Sequence, residues 1–202
     1  MKAAILTVLS ITAALLLYFL VTSIMEPIDF THEKEVRYNA AIARLKDIRT
    51  AQVAFRSENH HYTGSFDSLI AFVKNDSFRV VRQIGSLDDS AAVAEGRVSR
   101  DTVSVCVRDS LFKRAGFVLD SLCYVPFTNG REKFDLAAGE LQTGSKVIVQ
   151  VFEASVTNKV LLAGLNHQEI VNLDDVARQL DRFPGLKVGS LKEATNNAGN
   201  WE

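Results

Sequence analysis

From Ala3 to Met25 the chain reads AAILTVLSITAALLLYFLVTSIM, 23 residues without a charge, a glycine or a proline. Wound as an α-helix, this run is about 34 Å long, enough to cross a hydrocarbon layer of about 30 Å with some tilt. A helix also lets a lone segment satisfy its own backbone N–H and C=O groups where there is no water. The run therefore reads as a retained transmembrane anchor in contact with a lipid bilayer. It exceeds the apolar core of about 7–15 residues expected of a secretory signal. Its end, VTSIMEP, has no small-x-small cleavage pattern and no cysteine to carry a lipid. Lys2 and the α-amino group lie on the short side, and Glu26 and Asp29 open the long side. Because long domains translocate largely regardless of their Lys/Arg placement, the expectation is one pass through an inner membrane with the bulk of the chain periplasmic.

The rest of the 202-residue chain is long enough for one domain with a real core. With 23 Lys+Arg against 24 Asp+Glu it has no basic footprint, so nucleic acid is not an expected partner. The expected organisation is an anchor over 1–26, an amphipathic helix or stalk over 27–62, an extracytoplasmic domain over 63–195 and a frayed tail over 196–202.

Pro27 cannot donate a backbone hydrogen bond, and it predicts a break or kink after the anchor. Over 31–58 the sequence THEKEVRYNAAIARLKDIRTAQVAFRSE predicts a helix. Tyr38, Ala41, Leu45, Ile48, Gln52 and Phe55 recur at spacings of three and four and form one stripe. The stripe either packs on the chain's own sheet or faces a partner, as in a self-associating coiled coil. Thr31 is the expected N-cap, and Glu33 and Arg37 are placed to pair one turn apart.

A second helix is expected over 65–76, capped by Ser65, with Phe66, Leu69, Ile70 and Val73 inward. The period then falls to two. Strands are predicted over 78–84, 101–111, 117–127 and 159–165, with a polar excursion over 88–100 and a turn at Asn129-Gly130. A hairpin is predicted from 133–141 and 146–156 around Gly144-Ser145. Asn172 is expected to cap a helix over 173–183 that turns Val176, Leu180 and Phe183 inward, and Pro184-Gly185 to stop it. A short strand over 186–190 and a last turn over 191–195 complete the reading. Helices first, then a meander of strands, then a late helix give an α+β class with a mainly antiparallel sheet under the long helix.

Cys106 and Cys123 fall in two of the predicted strands. If those strands pair, a disulfide can join them; otherwise both are small buried residues. His60-His61 is the only histidine pair, and adjacent residues point apart on either regular structure, so it reads as a solvated helix end. Asp88-Asp89 reads as loop, and Asp174-Asp175 as helix-start chemistry. No nucleotide-binding, nucleophile-elbow or metal-ligand motif occurs, so no catalytic residue, cofactor or metal is assigned.

The order of an apolar helix, a nearby proline, the stretch AIARLKDIRTAQVAFRSENHHYTGSFDSLIAFV and the loop residues Tyr62 and Gly64 resembles the type IV pilin and pseudopilin plan over about the first 75 residues. It lacks that plan's processing-site glycine and its glutamate at the fifth position of the apolar segment. The stretches RLKDIRTAQVAFRS, DSLIAFVKNDS, YVPF and PGLKVGSLKEATNNAGNWE look like an uncharacterised family of single-pass envelope proteins of Bacteroidota. These resemblances imply a pilin-like fold and an envelope location. The expected function is non-enzymatic: a structural or assembly component of a cell-envelope machine with a protein partner. The alternative is an anchored ligand-binding or sensor domain.

Overall fold

A computed structural model describes residues 2–84, 99–114, 116–144 and 146–202. The first helix, α1 (Lys2–Asn59), is 58 residues long, or about 87 Å at 1.5 Å per residue. It contains no glycine, and its first half is rich in Ala and Leu, the strongest helix formers. Pro27 lies inside it without ending it, which corrects the expected break. The chain is gripped on both sides of the proline, at Glu26 by Asn166 and at Phe30 by the core. Thr31 is accordingly an interior residue, not a cap; its hydroxyl donates to the Pro27 carbonyl at 2.8 Å. Glu33 and Arg37 form the expected pair at 3.9 Å.

The stripe on α1 is covered by the chain's own domain. Ala41, Leu45, Ile48 and Gln52 are fully buried, Phe55 is buried, and Tyr38 packs half-buried against the same core. The partner-facing reading of these residues is thereby corrected: α1 lies across the sheet and uses its stripe there.

Helix α2 (Phe66–Asn75) begins as predicted, with the Ser65 side chain accepting from the Ser68 N–H. It buries Leu69, Phe72 and Val73. Strands β1 (Ser77–Ile84) and β2 (Ser99–Cys106) form an antiparallel ribbon running from Ser77↔Cys106 to Ile84↔Ser99. Ser99 and Arg100 thus belong to a strand, and the rest of the expected polar excursion, with Asp88-Asp89, lies outside the described residues. The strand expected to run on to Leu111 stops at Cys106. Val107 is fully buried and donates its N–H to Asp76 at 3.0 Å, which turns the chain into α3 (Val107–Leu111).

No strand forms over 117–127. A 3-10 turn at Leu119–Ser121 dips Leu119 and Leu122 into the core. Tyr124 then makes a single bridge to Lys133. The predicted Asn129-Gly130 turn closes this small loop, with φ of 53° and 70° and the Arg131 N–H bonded to the Thr128 carbonyl; positive φ at both central residues is the geometry of a hairpin turn.

The main sheet has the order β3-β4-β5, all antiparallel, from β3 (Asp135–Gln142), β4 (Ile148–Thr157) and β5 (Gly185–Gly189). The expected hairpin is present; Ser145 itself lies outside the described residues. The strand predicted over 159–165 is instead a short helix, α4 (Asn158–Leu161), which fully buries Leu161 and Leu162. Helix α5 (His167–Gln179) starts ahead of the predicted cap. Asn166 is the cap, accepting from Gln168 and Glu169, and Asn172 is interior. Ile170 is the buried residue of this helix, while Val176 and Leu180 are 54% and 58% exposed, which corrects their expected inward placement.

The C-terminal residues are not frayed. Ala198 accepts from Gly189, Asn200 donates its N–H to Lys187, and the Asn200 side chain bonds both Gly185 and Lys187. The segment thereby covers the free edge of β5.

Candidate functional site

Among the described residues, the largest surface that water cannot explain is the N-terminal half of α1. Ile5 and the large apolar side chains from Val8 to Met25 are 48–66% exposed, and no part of the described chain covers them. This is a helix long and apolar enough to cross a membrane. A contiguous apolar surface of this size exceeds what soluble chains leave bare. Covering its large side chains is worth on the order of 20 kcal/mol.

The junction between this bare helix and the domain is built from polar contacts. Glu26 is the first charged residue after the apolar run. Its Oε1 accepts from Asn166 Nδ2 at 2.5 Å. The Asn166 Oδ1 meanwhile caps α5, accepting from Gln168 at 2.8 Å and from Glu169 at 3.3 Å. Farther along α1, the Arg37 guanidinium donates to the carbonyls of Ala163, at 2.9 Å, and Leu161, at 3.3 Å. Next to it, Tyr38 donates to Asn158 Oδ1, and Asn158 Nδ2 donates to Asp174 at 2.8 Å. Burial, with the Asp174 carboxylate behind it, pushes the Tyr38 phenol up to about 12.

Sequence reasoning missed Asn166 and Glu26 as a junction. A pair 140 residues apart leaves no local pattern; the only available signal was an Asn ahead of the amphipathic α5.

Cys106 and Cys123 are not brought together as a disulfide. Cys106 is exposed at the end of β2, and Cys123 is buried in the loop that replaces the expected strand; both are free thiols. Burial raises the Cys123 thiol above its ordinary value. His60 takes a left-handed conformation, φ 63°, at the end of α1, and His61 donates from Nδ1 to the Asn59 carbonyl at 2.8 Å, edge-on to Phe55. Asp174 and Asp175 lie within α5 and not at its start; Asp175 pairs with Arg178 at 2.8 Å. Among the described residues no cluster of three His, Cys, Asp or Glu side chains has the spacing to hold a metal.

Two further charged groups are shifted, each for a structural reason. Burial lowers the Arg44 guanidinium, which is bound to the Ser121 carbonyl and hydroxyl. A hydrogen bond from Arg49 at 2.7 Å lowers the Glu202 carboxyl and ties the C-terminal segment to α1.

An open groove of about 1040 Å³ runs along α5, β5 and the C-terminal segment. Val176, Leu180 and Trp201 line it together with Lys187. The buried Trp201 Nε1 has no hydrogen-bond partner among the described residues.

Comparison with known proteins finds no matching family model, no matching curated protein and no matching solved structure.

Proposed function

We propose that this chain is a non-enzymatic, single-pass membrane protein that presents a rigid α+β domain on the periplasmic side of an inner membrane, as a structural or assembly component of a cell-envelope machine. One observation carries the reading: a single unbroken helix is bare over its apolar first half and becomes the spine of the domain from Phe30 onward. The bilayer supplies the cover that the bare half lacks, and continuity through Pro27 passes position and orientation directly to the domain. The order of α1, the Tyr62–Gly64 loop and an antiparallel sheet supports the pilin-like part of the proposal. With the α1 stripe already used inside the domain, a protein partner has to engage other surfaces.

The test is fractionation followed by capture. Carbonate-washed vesicles should retain the uncut full-length chain, and protease added to spheroplasts should reach the domain. Pull-down with the anchor intact should then recover defined envelope proteins. Release of uncut chain into the wash, or recovery of the chain alone in every detergent, overturns the proposal.

A second reading, an anchored ligand-binding or sensor domain, is favoured by the groove along α5 and the unpartnered indole N–H of Trp201 at its wall. A thermal-shift screen of small molecules against the full chain, read with Trp201→Phe as control, decides it. A ligand whose stabilisation is lost in Trp201→Phe supports this reading; stabilisation by none of them removes it.

A further inference from the structure

We infer that the loop at residues 163–168, leading into the first turn of α5, rests on the lipid headgroups, so that the domain is docked on the bilayer and not held away from it on a stalk. The inference rests on the anchoring proposed above and adds to it a second, non-helical contact with the lipid surface.

Three observations fix the height of this loop. Phe30, only five residues past Met25, is already packed in the core at 8% exposure. At 1.5 Å per residue the domain therefore begins about 8 Å beyond the end of the apolar run. The headgroup layer on one side of a bilayer is itself about 5–8 Å deep, so no gap is left for a stalk. Next, Asn166 Nδ2 reaches Glu26 Oε1 at 2.5 Å, which puts the loop's apex level with the first charged residue after the run. Finally, Arg37 holds the carbonyls of Leu161 and Ala163, so the chain climbs along α1 from Arg37 toward Glu26 before α5 descends. The descent is marked by Asp174, which reaches Asn158 beside Tyr38.

The apex has the character of an interfacial surface. Ala163, Gly164, His167 and Gln168 are exposed, and none carries a fixed negative charge. On the other side of α1 from Glu26 and Phe30, Ile28 is 54% exposed just past the apolar run and extends the helix's bare surface to the height of the loop. Asn166 fixes the loop at two points, with its carbonyl capping α5 and its amide bound to Glu26. The contact is thus set by side chains of the fold and does not depend on a flexible link.

The experiment uses the full chain in phosphatidylcholine vesicles, in a Cys106→Ser, Cys123→Ala background whose fold is checked by circular dichroism. A single bimane label is placed at Gln168→Cys, at Glu193→Cys or at Phe19→Cys. Phosphatidylcholine with a nitroxide on its headgroup should quench the label at position 168 and leave the label at 193 bright. Phosphatidylcholine with a nitroxide midway along its acyl chain should quench the label at 19. If the label at 168 stays as bright as that at 193 while position 19 is quenched, headgroup docking is wrong and anchoring survives. If position 19 is also unquenched, anchoring fails and the docking inference falls with it.

Discussion

Gln52 and Thr63 bond each other twice inside the core. The Gln52 amide nitrogen donates to the Thr63 carbonyl at 2.6 Å, and the Thr63 N–H returns a bond to the Gln52 carbonyl oxygen at 3.2 Å. Gln52 is fully buried in the middle of the α1 stripe, so its side chain stands in for a strand and satisfies a loop peptide that water cannot reach. Gln52→Leu keeps the volume and orphans both backbone groups. It should lower unfolding stability by about 2–3 kcal/mol, whereas Thr50→Ala on the exposed face should stay within about 0.5 kcal/mol. Urea melts of the two variants check this, and equal melts would remove the role assigned to the pair.

The two cysteines should differ sharply in reactivity. Cys106 is exposed and Cys123 is buried, with burial raising its thiol. In the native protein a maleimide should modify one thiol quickly. Cys123 should follow only as the domain opens, on the order of 100-fold more slowly. Denaturation without reductant should expose two free thiols. A single mass shift corresponding to a Cys106–Cys123 disulfide would contradict the separation seen in the fold.

Tyr38 gives a pH signature. Its phenol is pushed up to about 12 by burial, with Asp174 adding to the effect, whereas an unfolded tyrosine ionises near pH 10. The fold favours the protonated phenol. Its contribution is therefore complete below about pH 10 and is lost as pH rises through about 12. Ultraviolet tyrosinate absorbance should show a late-titrating component that is lost in Tyr38→Phe. That variant should also lose the alkaline slope of stability, and about 1 kcal/mol at neutral pH because Asn158 Oδ1 loses its donor.

How far the sequence reached depends on the range of the interaction. The α1 stripe, the Ser65 cap, the Asn129-Gly130 turn and the β3–β4 hairpin were legible because each is set within a few residues. Val107 was misplaced because its alternation with Val103 and Val105 continues the strand pattern, and only its burial beneath α2 turns the chain. Leu119, Leu122 and Val125, spaced by three, sit in a stretch rich in β-formers; tertiary burial overrode that preference. Val176 and Leu180 have the spacing of a buried face, but the domain packs on α5 through Ile170 and leaves them exposed. Asn200 and Trp201 carry no periodicity, and their role depends on an edge strand formed elsewhere. The candidate site was half legible: the bare apolar helix was plain, while the Glu26–Asn166 junction has no local trace.

Gly189 and Gly130 separate backbone strain from close approach. Both have positive φ, 72° and 70°. At Gly130 an added Cβ meets nothing within 4 Å. Gly130→Ala should therefore cost only the left-handed penalty, about 1–2 kcal/mol. At Gly189 the same atom would lie 2.1 Å from the Phe152 carbonyl oxygen, on the central strand of the sheet. That oxygen is main chain and cannot swing away, so β4 and β5 have to part where the C-terminal segment also bonds Gly189. Gly189→Ala should cost about 3 kcal/mol or more, with loss of hydrogen-exchange protection concentrated in β4, β5 and the segment beyond Thr195. Equal costs for the two alanines would mean that only the backbone angle matters, and the tight pairing of β5 against Phe152 would have to be given up.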